Sequence, residues 1–155
     1  MRRCLSDFGD FKPMKRIFLS DYGLLPDTGK DLLPVLKKAI EEANETPDYC
    51  EIIFENGTYD IYTDNLTSLD IHVSNTHSEE EGTSITRNFA ILFNGCRNIV
   101  LNGNGSVLRF HGKMTLMGII ESKNIIIKNL EFSAVHPPLT EMTVISVGKG
   151  YMDCR

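Results

Sequence analysis

One apolar pattern occurs twice in the second half of the chain, and it predicts how the protein is built. Residues 90–103 read Ala-Ile-Leu-Phe-Asn-Gly-Cys-Arg-Asn-Ile-Val-Leu-Asn-Gly, and residues 116–129 read Leu-Met-Gly-Ile-Ile-Glu-Ser-Lys-Asn-Ile-Ile-Ile-Lys-Asn. Asn98 corresponds to Asn124, 26 positions later. A period in the twenties, with short β-branched runs and no helix between them, is typical of a parallel β-solenoid. Each repeat is too short to bury its own apolar face, so it needs a neighbour stacked on it.

A helix is predicted ahead of these repeats, at about residues 31–44. Its apolar residues fall on one face at helical spacing: Leu32, Leu36, Ala39, Ile40 and Ala43. Asp31 is the expected N-cap, because its carboxylate can accept hydrogen bonds from free amides of the first turn. Pro34 falls in that first turn, where its missing N–H has no partner to lose. We expect this helix to cap the N-terminal end of the stack.

Short strands are predicted along the rest of the chain, at residues 17–19, 51–55, 58–62, 69–73, 106–110, 142–147 and 151–154. The expected fold class is mainly β: a right-handed parallel β-helix with its coils from about residue 51 to 155. Residues 16–155 would form one domain, and residues 1–15 a leader or disordered arm. No capping element follows the last strand, so we expect an N-terminal piece of a longer protein, truncated at the C-terminus and prone to associate end to end.

Asparagines at matching corners of the repeats have an expected structural role. Asn98, Asn124 and Asn129 can stack into a ladder in which each side-chain amide bonds to the next, as stacked amides do in other cross-β packings.

Composition narrows the possible partners. The net charge of −5 and the pI of about 5.3 argue against nucleic acid or an anionic membrane as the main partner. No apolar run approaches the roughly 20 residues needed to cross a bilayer. No intact signal peptide is visible, so a secreted or periplasmic location is expected only if the full-length protein carries one.

The four cysteines match no zinc-site spacing: Cys4, Cys50, Cys96 and Cys154. We interpret them as small buried residues, with their disulfide state open. No metal and no cofactor is expected.

Two parts of the sequence resemble known proteins. Residues 21–43, with Asp21-Tyr-Gly, Pro26-Asp-Thr-Gly-Lys-Asp and the helical run after them, are similar to the opening of many pectate-lyase-like right-handed β-helix proteins. Residues 98–114, 124–130 and 136–142 resemble the first coils of the bacterial α-1,3-galactosidase family. The most distinctive part is Phe110-His-Gly-Lys-Met114.

This resemblance implies an inverting glycoside hydrolase whose partner is a glycan with terminal α-1,3-linked galactose. In that family the catalytic aspartates lie in later coils, and no position here matches them. The catalytic residues are therefore expected beyond Arg155, and residues 1–155 alone are expected to be inactive. An inverting enzyme needs two carboxyl groups roughly 6.5–9.5 Å apart. In the repeat region only Glu121, Glu131 and Glu141 are available, and none has a visible partner.

Two other functions stay open. A non-catalytic carbohydrate-binding or adhesin-type β-helix would present a stripe of exposed aromatics, which five Tyr, eight Phe and no Trp weakly disfavour. A polysaccharide lyase usually needs calcium-binding carboxylates and a basic residue, and no acidic cluster lies on a predicted strand.

The candidate substrate-binding residues are few: His111, Lys113, His136 and Glu141. The histidines stand out because imidazole titrates near neutrality. The alternative for His111 is a turn histidine whose hydrogen bonds are satisfied within the protein. For Glu141 the alternative is a structural or solvated side chain. The oligomeric state and the exact glycan cannot be predicted.

Overall fold

The computed structural model describes residues 15–71, 85–136 and 142–155. Within them lie one α-helix, ten strands and two short 3₁₀ helices at Leu19–Tyr22 and Thr63–Asn65. The helix is α1, Leu33–Asn44. The strands are β1 Lys15–Phe18, β2 Cys50–Ile53, β3 Thr58–Ile61, β4 Thr67–Asp70, β5 Thr86–Asn94, β6 Arg97–Phe110, β7 Thr115–Ile120, β8 Lys123–Ala134, β9 Val144–Gly148 and β10 Tyr151–Cys154. Most strands lie in parallel sheets. The protein is thus mainly β.

Equivalent residues of the two sequence repeats lie side by side in the sheets. We call β5 and β6 the inner repeat, and β7 and β8 the outer repeat. Ile99 of β6 lies beside Ile125 of β8 in parallel pairing. Phe93 of β5 likewise lies beside Ile119 of β7. The predicted correspondence of the two copies is therefore confirmed in space.

The parallel strands form two main sheets. One has the order β1-β2-β6, continues to β8, and carries β3 against the second half of β6. The other joins β5 and β7 in parallel and adds β4 antiparallel to β5. Both long strands turn a corner at an asparagine with positive φ, Asn104 in β6 and Asn129 in β8. The first half of β6 pairs with β2 and the second half pairs with β3, while β8 pairs with both halves.

The last two strands depart from the expected coils. Strands β9 and β10 pair antiparallel with each other and form a separate two-stranded sheet. We expected parallel coils up to residue 155, but in residues 15–71, 85–136 and 142–155 the parallel pairing extends only to Ala134. The turn at Gly150, with φ of 87°, reverses the chain where a coil would have continued it in the same direction.

Helix α1 buries its apolar face in the same core as the strands. Leu33, Leu36, Ala39, Ile40 and Ala43 are all buried. Asp31 is not the N-cap as expected, because the helix begins at Leu33 with Leu32 at the cap position. The Asp31 backbone instead forms a bridge with β3, and its carboxylate still accepts the amide of Leu33 at 3.2 Å. No helix among the described residues is long and apolar enough to cross a membrane.

The asparagine ladder is present at one corner. Asn124 Nδ2 donates to Asn98 Oδ1 at 2.8 Å, and both residues have φ near +60°. Asn129 differs from the expectation, since its Nδ2 donates to Asn102 Oδ1 at 3.0 Å. Asparagine suits these corners because it tolerates the left-handed conformation and can bond to the neighbouring repeat.

Candidate functional site

A buried carboxylate joins β3 to the inner repeat. Asp60 and Arg109 are register partners in the parallel pair β3–β6, so their side chains emerge side by side. The Arg109 guanidinium donates to both carboxylate oxygens, from Nε at 2.6 Å and from Nη2 at 2.9 Å. His111 Nε2 lies 2.6 Å from Asp60 Oδ1. We call Asp60, Arg109, His111 and Tyr62 the Asp60 cluster.

The surroundings fix His111 in this cluster. Its imidazole stacks on the Tyr62 ring at a centroid distance of 4.4 Å. The Tyr62 hydroxyl donates to the backbone carbonyl of Gly29, and the Tyr62 amide donates to the Asp31 carboxylate. One face and one nitrogen of the imidazole are therefore already engaged, which matches the alternative of a structurally satisfied turn histidine.

The electrostatics of the Asp60 cluster decide what chemistry it can do. The hydrogen bond from Arg109 holds the pKa of Asp60 below its usual range, and His111 adds to the effect while burial opposes it. The Asp60 side chain is only 1% exposed. A general acid for glycoside cleavage needs a raised pKa so that it carries a proton near neutral pH. Asp60 has the opposite property, which favours a structural role for this cluster over proton donation.

A second buried carboxylate lies on the β1-β2-β6-β8 sheet. Glu51 of β2 accepts hydrogen bonds from Asn102 Nδ2 at 2.9 Å and from Lys128 Nζ at 3.0 Å, and Arg16 lies 3.5 Å away. Burial acts to raise the pKa of Glu51, but the bonds from Lys128 and Asn102 outweigh it and lower the pKa. This row ties four successive strands together and again holds its carboxylate ionised.

A cavity of about 450 Å³ opens where the outer repeat ends, and we call it the open-end cavity. Phe110 and Phe132 both line it, and their rings stack with centroids 6.0 Å apart. Lys113 and His136 both line it, so two of the predicted substrate-binding residues lie at one place. Most of its remaining lining is apolar, including Met114 and Leu116. The lining thus combines apolar and aromatic side chains with two polar ones, Lys113 and His136.

The other candidates either do not line this cavity or lie outside the described residues. His111 belongs to the Asp60 cluster, and Glu141 lies outside the described residues. Glu121 and Glu131 are both exposed. No group of three or more histidine, cysteine or acidic side chains placed to hold a metal occurs in the described part of the chain. Cys50 and Cys96 are buried free thiols whose pKa is raised by burial.

The partners of His111 were not predicted from the sequence. Asp60 stands between Tyr59 and Ile61 at the polar phase of the strand alternation, which favours an outward, exposed side chain, so its burial has no local signal. The pairing with Arg109 has none either, because their register of 49 positions includes residues 62–85, which belong to no repeat. Glu51 stands at the same phase within β2.

Comparisons with known proteins point to one enzyme class. The α-1,3-galactosidase B of Parabacteroides distasonis is 29% identical over 136 residues, which cover 84% of this chain and 21% of that protein. The α-1,3-galactosidase A of Bacteroides thetaiotaomicron is 28% identical over 132 residues, covering 83% and 23%. The α-1,3-galactosidase A of Streptomyces avermitilis is 25% identical over 130 residues, covering 84% and 21%.

The match is partial in length. The chain spans about a fifth of the length of the curated relatives it matches. No family model matches it. The chain therefore resembles α-1,3-galactosidases at low identity over part of their length, which supports a glycoside hydrolase-like function.

Proposed function

We propose that this chain is the N-terminal part of a glycoside hydrolase that releases terminal α-1,3-linked galactose with inversion at the anomeric carbon. The observation that carries the proposal is the match of more than four-fifths of the chain to proteins named α-1,3-galactosidase, from Bacteroides-type bacteria and from Streptomyces. The partner is a glycan with an α-linked galactose at its end.

The proposal also covers the fold of the full-length protein. Parallel pairing of β5 with β7 and of β6 with β8, at a 26-residue offset that shifts to 24 residues after Asn102, supports a right-handed parallel β-helix that begins near α1. Such a stack presents the side chains of successive repeats in rows on its outer faces, where a catalytic pair of carboxylates can be set at a fixed separation.

We assign the catalytic carboxylates to chain outside residues 1–155. The two most buried carboxylates described, Glu51 and Asp60, are both kept ionised by cationic neighbours. Each already has its hydrogen bonds within the protein, so neither matches a general acid. The part of the chain described here then serves as the rigid base on which the active site is built.

The experiment is a galactose-release assay on the protein encoded by the full reading frame that contains this chain. The substrate is an oligosaccharide ending in α-1,3-linked galactose, and the matched control ends in β-1,4-linked galactose. Free galactose is measured by anion-exchange chromatography. We expect release from the α-1,3-linked substrate only, and no release by residues 1–155 alone.

Three results would contradict the proposal. Absence of release from the α-1,3-linked substrate removes the enzymatic function. Equal release from both substrates removes the linkage specificity. Binding of the glycan without release favours a non-catalytic binding module. The variant Asp60→Asn in the full-length protein separates the roles further, because a structural carboxylate lowers stability and leaves the kcat of the folded enzyme near that of the parent.

A further inference from the structure

Asparagine is followed by glycine at several corners of the chain, and this dipeptide has a chemistry of its own. The glycine nitrogen can attack the side-chain amide carbon of the asparagine, because glycine has no Cβ to hinder the approach. The new C–N bond closes a succinimide ring, the Cγ–Nδ2 bond breaks, and ammonia leaves. Water then opens the ring at either carbonyl and gives aspartate or isoaspartate. The chain contains four such pairs, all within the described residues: Asn56-Gly57, Asn94-Gly95, Asn102-Gly103 and Asn104-Gly105.

The fold holds the Asn102 side chain at both ends. Its Nδ2 donates to Glu51 Oε1 at 2.9 Å. Its Oδ1 accepts the backbone amide of Asn104 at 3.1 Å and Nδ2 of Asn129 at 3.0 Å. The next residue, Gly103, is buried. Ring closure at Asn102 therefore requires several hydrogen bonds to open first.

Two further pairs are held in other ways. Asn56 Nδ2 donates to the backbone carbonyl of Asn104 at 3.0 Å. The Asn94 side chain has no hydrogen-bond partner in the described part of the chain, but the attacking nitrogen is engaged, because Gly95 N–H donates to the Ile120 carbonyl at 3.0 Å. Each pair must thus break one bond before it can react.

The fourth pair lies in a bulge of the long strand β6. The offset of β6 against β8 falls from 26 to 24 residues between Asn102 and Ser106. Residues 103–105 therefore lie opposite a single residue of β8, Asn129. We call residues 103–105 the corner bulge. Extra residues of this kind are left out of the ladder of backbone hydrogen bonds.

The corner bulge leaves both reacting groups free. Asn104 is exposed, with a φ of 52°, and its side chain bonds to no described residue. Gly105 is also exposed and has no register partner in the pairing of β6 with β2, β3 or β8. Asn104-Gly105 is thus the one pair of the four in which neither the side-chain amide nor the glycine is held by a bond that these residues print in the fold.

We propose that Asn104 is a site of spontaneous deamidation in the folded protein, where it converts to aspartate and isoaspartate while the other three pairs stay intact. Isoaspartate lengthens the backbone by one methylene group. The corner bulge takes up that length, because three residues already lie opposite one and the pairing on either side keeps its register. The reaction adds one negative charge to an exposed corner and is independent of the proposed enzymatic function.

The test compares the folded and the unfolded protein. The product of the full reading frame is incubated at mildly alkaline pH, once in buffer and once in guanidinium chloride. Tryptic cleavage after Arg97 and Arg109 releases residues 98–109, which contain both Asn102 and Asn104. Fragmentation in a mass spectrometer then compares the two sites within one peptide. An isoaspartyl methyltransferase distinguishes isoaspartate from aspartate.

We expect all four pairs to react at similar rates in guanidinium chloride. In buffer, Asn104 should react within about threefold of its unfolded rate, whereas Asn102 should react at least about tenfold more slowly than when unfolded. Asn104→Gln is the matched control, because its longer side chain closes a larger and less favourable ring, and it should abolish conversion at that position alone. Asn104→Asp, which carries the charge of the product, should leave the Tm of the parent unchanged.

Three results overturn the proposal. In buffer, Asn104 is slowed as much as Asn102, or Asn56 or Asn94 reacts faster than Asn104, or all four pairs react equally. The galactose-release assay has a separate readout, so a protein that deamidates at Asn104 without releasing galactose removes only the enzymatic proposal.

Discussion

The inner and outer repeats share a pattern and a register but differ in burial. Ile99 and Ile125 are the same residue at partnered positions of β6 and β8. Ile99 is fully buried, whereas Ile125 is only partly buried at the edge of the core. The difference comes from what lies on the far side of each repeat. The inner repeat is covered by the outer repeat on one side and by α1, β2 and β3 on the other. Within the described parts of the chain, the outer repeat is covered on one side only.

The stability of each repeat therefore depends on its neighbours as well as on its own sequence. The sequence of a repeat decides which side chains point inward, but the neighbour decides how much apolar surface leaves water. A substitution at partnered positions should therefore cost more in the inner repeat.

The largest expected effect is at the buried isoleucine. Ile99→Ala should lower the free energy of unfolding by about 3 kcal/mol, because it leaves a cavity that its neighbours cannot fill. Ile125→Ala should lower it by about 1 kcal/mol, because solvent already reaches part of that side chain. Urea unfolding followed by circular dichroism measures both. Equal losses would show that the two repeats are equally covered in solution.

The second-largest loss of stability is expected at a glycine packed between the two repeats. A Cβ at Gly103 would lie 2.2 Å from the Leu130 side chain and 2.4 Å from the backbone carbonyl of Asn129. Gly103→Ala should therefore push β6 and β8 apart and cost about 2 kcal/mol. The control is Gly95→Ala, where nothing lies within 4 Å but φ is +65°, at an expected cost of about 1 kcal/mol. A smaller loss for Gly103→Ala than for Gly95→Ala would contradict the close packing of the repeats.

The charged pair of Asp60 and Arg109 anchors the inner repeat to β3. Arg109 is partnered by Asp60 on one side and by Ser133 on the other. Asp60→Asn should cost about 1.5 kcal/mol at pH 7, because it removes the charge from two hydrogen bonds.

The pH dependence of that loss has a definite sign. The folded pKa of Asp60 is lowered, so its stabilisation is present above the unfolded pKa of about 3.9 and is lost as the pH falls through the folded value. The parent and Asp60→Asn should thus converge in stability below about pH 4. Asp64→Asn, at an exposed position, is the control and should show no such convergence. A constant difference from pH 7 to pH 2 would contradict the ionised state assigned to Asp60.

The smallest effect is expected at the asparagine ladder. Asn98→Ala and Asn124→Ala each remove the same amide bond and place alanine at a positive φ, so each should cost about 1 kcal/mol in residues 1–155. Thermal unfolding of the two variants measures both costs. A much larger cost for one of the two variants would contradict a single amide bond shared by both residues.

The repeats could be predicted from the sequence because their information is local and written twice. The β-branched runs at residues 99–101 and 125–127 fix the strands, and their spacing fixes the register. The burial of Ile99 relative to Ile125 could not be predicted, because it depends on neighbours distant in the sequence. The Asp60 cluster was missed for the same reason, since the segment between Asp60 and Arg109 has no fixed period. The antiparallel hairpin of β9 and β10 was missed because apolar strands of that length fit either direction of pairing.

The most direct test of the proposed function is a proton NMR time course of the full-length product acting on an α-1,3-galactosyl oligosaccharide. One spectrum reports both the release of galactose and the configuration of the first anomer formed. We predict that β-galactose appears first and that the α-anomer follows only by mutarotation. A spectrum without free galactose would contradict the proposed function, and α-galactose as the first product would contradict inversion.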